Sequence, residues 1–379
     1  MEDKKFIPVF KPLIENEEIE SAIESLELGW LGMGSYVNKF ENEVRKICDI
    51  ENSKKRDLAA VSTGHAAIHL SLLMIGVKAG DEVITPSFNN SADFQAIKAC
   101  GADPVFVDVN KDTLCIDCDK VVELINTKTK CIIAMDYDIH LCDHNRLKEI
   151  SKKYNIPILH DAAHSFGAYY EGIPIGNQHQ YTIFSFDPVK TITCIDGGII
   201  VTSNPAEIKR IHAKRLIGMT QSANLMYTNS RAWTYDMNEI GFRYHMANTH
   251  AAIGLAQLNK LDNIRTNRQR ICKKYYDSLK HNNWLIAPSG EFDNINPFLY
   301  YIRVINDQRD KLREYLKNLG IDTGIHWQPG HKFSFLKNEK RGDLSITEEI
   351  AKQILSLPLH SNMSEEELDY IISAINNFI

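Results

Sequence analysis

The sequence has no apolar run approaching the roughly 20 residues that span a bilayer. Its opening residues, Met1 to Lys11, carry charges and lack the hydrophobic stretch of a secretion signal. We therefore expect a cytoplasmic protein with no membrane partner. It also lacks long blocks of one charge sign: charged residues make up 24% and the formal net charge is -6, which gives no electrostatic reason to expect nucleic acid. Eight cysteines are scattered at 48, 100, 115, 118, 131, 142, 194 and 272. Several sit in apolar runs such as Cys131-Ile-Ile-Ala, where a thiol behaves as a small hydrophobe, so a disulfide framework is not expected. Cys115 and Cys118 form a single C-x-x-C without the second pair or nearby histidines that zinc requires, so no metal site is expected. There is no fixed-period repeat, low-complexity segment or Gly/Ser linker.

What is present is a chain of 379 residues, 44% of them apolar, enough for one large domain and a smaller one. From Asp57 short β-branched runs alternate with amphipathic ones. Strands are expected at Asp57–Val61, Glu82–Thr85, Pro104–Val109, Cys131–Met135 and Pro157–His160. Helices are expected at His65–Ile75, Ala92–Ala99, Asp119–Ile125 and His144–Tyr154. This alternation predicts an α/β fold with a doubly wound, mostly parallel sheet, whose ligands sit beyond the carboxyl ends of the strands. After Asn204 the strand signal fades. Helical runs at Ala251–Leu261 and Asn263–Leu279 lead into a smaller α+β module with a strand at Leu299–Ile305 and helices at Arg309–Leu319, Glu348–Leu355 and Glu365–Ile379. We place the large domain at 1–255, N-terminal segment included, and the small one at 256–379.

Three strand-end features carry the chemistry. Ser62-Thr63-Gly64-His65-Ala66 joins a strand to a helix; a glycine lets a ligand approach and a helix N-terminus offers free N–H groups to an anion. Pro157-Ile-Leu-His-Asp161-Ala-Ala-His164 drives an apolar strand into an acid, which would need a cationic partner if buried. Phe184-Ser185-Phe-Asp-Pro-Val-Lys190, followed by Gly197-Gly198, places a lysine in a mostly apolar setting, where desolvation frees its amine for imine formation. Each has a bland reading: an ordinary turn, a helix cap, a surface lysine. Together they supply what pyridoxal 5'-phosphate (PLP) needs, namely a phosphate anchor, a ring-nitrogen partner and an imine-forming amine.

With these residues in place, the chain resembles the fold-type-I PLP transferases of the DegT/StrS kind, sugar-nucleotide aminotransferases. The likeness runs through Gly29-Trp-Leu-Gly-Met-Gly34, Gly80-Asp-Glu-Val-Ile-Thr-Pro-Ser87, His160-Asp-Ala-Ala-His164, Ser185-Phe-Asp-Pro-Val-Lys190, Gly197-Gly198, Ala251-Ala-Ile-Gly-Leu-Ala-Gln-Leu258 and Leu355-Ser-Leu-Pro-Leu359. The resemblance implies a large PLP-binding domain with a smaller C-terminal one. It implies amino transfer from a small amino donor, glutamate, to a keto-sugar acceptor linked to a nucleotide. It gives Lys190 the imine and the proton shuttle, Asp161 the pyridine nitrogen, His164 a place near the ring hydroxyl, and Ser185 with the amides of Gly64 and His65 the phosphate. It further implies a homodimer with shared active sites, in which Arg243 of Gly241-Phe-Arg-Tyr-His-Met246 reaches the neighbour's cofactor phosphate. His326 and His331 of Gly324-Ile-His-Trp-Gln-Pro-Gly-His331 fall in the segment that lines the sugar site.

The sequence departs from the family pattern at particular places. His65 stands where Thr is usual. Asn90 occupies the position of an aromatic that covers the cofactor ring, so Phe88 or another group is expected there. Arg243 and His245 replace an Asn and an Arg, and Ile139 replaces a glycine in Asp136-Tyr-Asp-Ile-His140. Besides a small phosphorylated ketone as acceptor, two rival readings remain open to such a fold. A keto-deoxysugar dehydratase carries histidine at the position of Lys190. A non-catalytic sensor has no reason to keep Lys190, Asp161 and Ser185 together.

Overall fold

The computed structural model describes residues 6–378. Two helices, α1 (Asn16–Glu27) and α2 (Ser35–Ile47), precede the first strand. α2 buries Val37, Phe40 and Val44, a spacing of three and four that forms one helical face. The predicted alternation then follows as β1 (Asp57–Val61), α3 (Gly64–Ile75), β2 (Glu82–Pro86), α4 (Ser91–Ala99), β3 (Asp103–Val107), α5 (Cys118–Leu124), β4 (Thr129–Met135), α6 (His144–Tyr154) and β5 (Ile158–Asp161). A small hairpin, β6 (Tyr169–Tyr170) with β7 (Ile173–Pro174), leads to β8 (Tyr181–Ser185) and β9 (Gly198–Thr202).

These strands form one seven-stranded sheet in the order β1-β9-β8-β5-β4-β2-β3. Neighbours from β8 to β3 are parallel, whereas β9 runs antiparallel to both β1 and β8. The central strands are buried along nearly their whole length, as expected of a sheet covered by helices on both faces. Below α2, the fully buried Arg215 donates from Nη1 to Glu41 Oε1 at 2.8 Å and from Nη2 to the Tyr227 hydroxyl at 2.8 Å. Glu41 also accepts the Ala60 amide of β1 at 2.8 Å. One ion pair therefore ties α2, the sheet and the segment after β9 together.

The second half continues with α7 (Ile208–Lys214), α8 (Ala223–Tyr227), α9 (Asn248–Asn259), α10 (Leu261–Leu279), β10 (Leu285–Ile286), β11 (Tyr300–Val304), α11 (Arg309–Asn318), α12 (Ser345–Gln353), β12 (Ile354–Leu357) and α13 (Glu365–Asn376). β10, β11 and β12 form an antiparallel sheet. Three differences from the sequence reading stand out. A boundary after residue 255 falls inside α9, which runs unbroken to Asn259. The expected helix at Glu348–Leu355 stops at Gln353, and Ile354–Leu357 forms β12, all four residues buried and paired with β11 of the small sheet. The N-terminal segment packs on the small module: the Ile7 amide donates to Gly320 O and the Asp322 amide to Ile7 O, both at 2.9 Å. No helix among the described residues is long and apolar enough to cross a membrane.

Candidate active site

A cavity of about 500 Å³ opens beyond the carboxyl ends of β5 and β8, and eight of the ten residues singled out from sequence line it: Gly64, His65, Asn90, Asp161, His164, Ser185, Lys190 and His326. One end of it is formed by the start of α3. Thr63 caps the helix, its Oγ1 accepting the Ala66 amide at 2.9 Å, which leaves the first-turn amides of Gly64 and His65 without helical partners. Ser185 ends β8 directly against this turn. A Cβ on Gly64 would lie 2.7 Å from Ser185 Cβ and 2.8 Å from its Oγ, so only glycine admits this approach. Gly198, opposite Ser185 on β9, is needed for the same reason, since a Cβ there would come 2.3 Å from Thr63 O.

Asp161 closes β5. Its Oδ1 accepts the Ala163 amide at 2.9 Å. Burial pushes this carboxyl up to about 6; the Ala163 hydrogen bond and the Lys190 charge pull it down, and Asp136 pushes it further up. Asp93, buried on α4, is raised well above the usual carboxylate range, first by burial and then by Asp161. A carboxyl in this state lacks a cationic partner, and a protonated pyridine nitrogen supplies one. Beside it, Asp136 is the hub of a buried network. His160 Nε2 lies 2.7 Å from its Oδ2, Ser165 donates to Oδ2 at 2.6 Å and the Cys142 amide to Oδ1 at 2.9 Å. The Asp136 amide donates to Asp161 O at 3.2 Å, so the network steadies the strand end that carries the acid.

Lys190 sits on a turn after β8, its amide donating to Asp187 O at 3.0 Å. Its side chain is half-buried, opens onto the cavity and lies with Nζ 4.0 Å from the centre of the Phe298 ring. Desolvation lowers the amine to about 8, against the opposing charges of Asp161, Asp187 and Asp138. The far wall is aromatic. Phe298 stacks on Phe10 at 5.2 Å and lies tilted against His164 at 4.6 Å, and Trp327 lies 6.1 Å from His164.

Two predicted residues lie elsewhere. His331 does not reach the cavity; its Nδ1 pairs with Ser87 Oγ at 2.7 Å and its Nε2 lies 3.2 Å from Glu348 Oε1, so it ties the loop after β2 to α12. Arg243 is exposed and outside its own chain's cavity. Asn90 lines the cavity but also caps α4, its Oδ1 accepting the Ala92 amide at 2.9 Å. Phe88 does not cover the site: it is fully buried and packs on Tyr137 at 5.5 Å. Sequence reading missed Phe10 and Phe298, whose place depends on the small module folding over the large one. It also had no account of Asp138, which is buried behind His164 with Oδ1 3.1 Å from His164 Nδ1.

An internal lysine, a buried acid at a strand end and an anion-binding helix start, all on one cavity of a mostly parallel sheet, define the site of a PLP-dependent transferase. The comparisons agree. Residues 12–376 match the model of the DegT/DnrJ/EryC1/StrS aminotransferase family, and the chain belongs to it. It is 31% identical to an uncharacterized protein of Methanocaldococcus jannaschii over 99% of this chain and 98% of that one. Among solved structures, it superposes on the aminotransferase TlmJ of Streptoalloteichus hindustanus with a TM-score of 0.89 at 26% identity, covering 97% of each chain. Against Spr1654 of Streptococcus pneumoniae, assigned to the sugar aminotransferases and solved in its PMP form, the TM-score is 0.88 at 27% identity, covering 97% of this chain and 96% of that one. The protein is a PLP-dependent aminotransferase, and the anchor, acid and amine of its cavity fit that cofactor.

Proposed function

We propose that the chain transfers an amino group from glutamate to a keto-sugar linked to a nucleotide, in the cytoplasm, as a homodimer. The observation that carries the reading is a half-buried amine, Lys190, lowered to about 8 and facing both the acid-lined and the aromatic walls of one cavity. Bound PLP supplies an electron sink for the negative charge that develops on the substrate carbon. The chain's own residues do the rest. Asp161 would sit as an anion against the ring nitrogen, and the amides of Gly64 and His65 with Ser185 Oγ would hold the phosphate. Lys190 Nζ, lowered enough that a usable fraction is neutral at physiological pH, would take the proton from the donor's Cα and return it elsewhere, as general base and then acid.

The acceptor reading is supported by the aromatic wall. Phe10, Phe298 and Trp327 offer flat apolar faces for the C–H side of a sugar ring, and the buried Trp327 Nε1 has no partner among the described residues and can donate to a hydroxyl. The nucleotide and the glutamate donor rest on the resemblance. Arg243, the exposed residue of its segment, is then the part of each chain offered to the other's cofactor phosphate, where a forked cation suits a phosphate group. A screen of nucleotide keto-sugars and small keto-phosphates, reading 2-oxoglutarate formed from glutamate, tests this. Turnover with a nucleotide keto-sugar is expected. Turnover with keto-phosphates alone would replace the acceptor, and no 2-oxoglutarate with any acceptor would remove glutamate as donor.

A further inference from the structure

We propose that Asp138 is a positioning residue that holds His164 in the tautomer with its proton on Nε2, turning that nitrogen toward the cavity as a hydrogen-bond donor. The inference deepens the cofactor reading and rests on it. Asp138 is a central residue of a tight turn closed by Tyr137 and His140, whose amides each donate to the other's carbonyl at 2.9 Å. Its φ of 55° is left-handed, which an aspartate tolerates better than most residues. The turn buries the side chain to 2% exposure, and neither carboxyl oxygen has a hydrogen bond among the described residues. His164 Nδ1 is buried and unbonded as well, and it lies 3.1 Å from Asp138 Oδ1.

Two buried groups at this distance can be satisfied together by one proton. An ionised carboxylate without other donors would carry a heavy desolvation penalty, whereas a protonated carboxyl can donate its O–H to Nδ1. The surroundings favour the neutral pair. Burial raises Asp138 well above the usual range, opposed only by the Lys190 charge. Burial, Lys190 and His326 together hold His164 well below its usual value, with Asp136 opposing. The other titratable groups facing the pair are neutral: Tyr137, Tyr301 and Cys272 are all raised, and His326 is lowered to about 4. With Nδ1 accepting the carboxyl O–H, the imidazole's own proton must sit on Nε2. Phe298 and Trp327 fix the plane of the ring in the cavity wall. A donor in that wall suits an acceptor oxygen of the occupant, such as the ring oxygen of the cofactor.

The test uses the holoenzyme without substrate, with Asp138→Asn and Asp138→Leu beside the native chain, and follows the visible absorption of the lysine-bound cofactor against pH. The Asn amide can donate to Nδ1 as the carboxyl does, so that variant should titrate with the native protein. Leu removes the donor, frees the tautomer and should shift the chromophore's apparent pKa upward by about one unit, because its proton is then held by an undisturbed ring oxygen. A Leu variant that titrates as the native protein overturns the proposal, and so does an Asn variant that shifts as far as Leu. Nitrogen-15 NMR of the native holoenzyme, with His164 identified by its loss in His164→Gln, gives an answer even if Leu does not fold. Protonated Nε2 is expected; protonated Nδ1 overturns the assignment. A native protein with no visible band would instead sink the cofactor reading itself, which separates the two failures.

Discussion

The amine of Lys190 lies 4.0 Å from the centre of the Phe298 ring, although the lysine follows β8 of the large sheet and the phenylalanine precedes β11 of the small one. The contact places the reactive group at the seam between the two sheets. It also explains the depressed amine, since an aromatic face excludes water from one side of it. Replacing the lysine removes the proton carrier and leaves the aromatic wall intact. Lys190→Ala should lose amino transfer by about a thousandfold or more while its circular dichroism and melting stay native-like. Undiminished turnover in that variant would overturn the assignment. Borohydride trapping in the native chain should place the cofactor on the peptide that carries Lys190.

The same amine predicts how the cofactor-free chain captures PLP. Only neutral lysine attacks a carbonyl, and Lys190 loses its proton near pH 8, whereas a solvated lysine does so near about 10.4. The capture rate followed by stopped-flow absorbance should rise through pH 7 to 8 and level off above. A rate still climbing steeply at pH 10 would show an ordinary solvated amine.

Asp161 predicts a stability difference with a definite sign. Its folded value, about 6 in the cofactor-free chain, lies above that of the unfolded chain, about 3.9. Its contribution is fully present below pH 4 and is lost as pH rises through 6. Cofactor-free Asp161→Asn should therefore equal the native chain in stability at low pH and exceed it at pH 7 by about 3 kcal/mol. Denaturant unfolding at the two pH values reads this out. Turnover of the variant should fall sharply, because an amide cannot pair as an anion with the ring nitrogen.

In the proposed reading, Gly64 and Ser185 set the phosphate end. Gly64→Ala forces a Cβ to within 2.8 Å of Ser185 Oγ, so the turn and the strand end must separate. PLP affinity should drop about tenfold or more, a loss of about 1.4 kcal/mol of binding. Fluorescence titration of the cofactor-free variant measures it, and unchanged affinity would count against this turn as the anchor.

Glu41 has a structural role away from the cavity. Glu41→Ala leaves the Arg215 guanidinium buried without its anion, and breaking such a pair costs about 3–5 kcal/mol. Urea unfolding of the cofactor-free chain should show that loss. A change below about 1 kcal/mol would mean that the Ala60 carbonyl and Tyr227 suffice to hold the arginine.

Much of the large sheet was legible because buried parallel strands and their covering helices write their periods directly into the residue order. The limits of β1 and α6 match the sequence reading at both ends, and most neighbours differ by one to three residues. α1 and α2 went unread although the Val37, Phe40, Val44 spacing of α2 was there to find. The antiparallel run of β9 was not legible, since the direction of a strand depends on where the chain turns.

That Lys190, Asp161, Ser185 and Gly64 would meet on one cavity was legible in the sequence alone, because each stands near the end of a recognisable strand or at the start of a recognisable helix, and a doubly wound sheet gathers such ends on one side. Tertiary structure alone decided that Phe298 and Phe10 would wall the amine, that His331 would bind Ser87 and leave the cavity, and that Asp138 would meet His164. Those contacts join segments far apart in the chain, and a side chain's partner across a packed seam is set by how the two sheets close on each other.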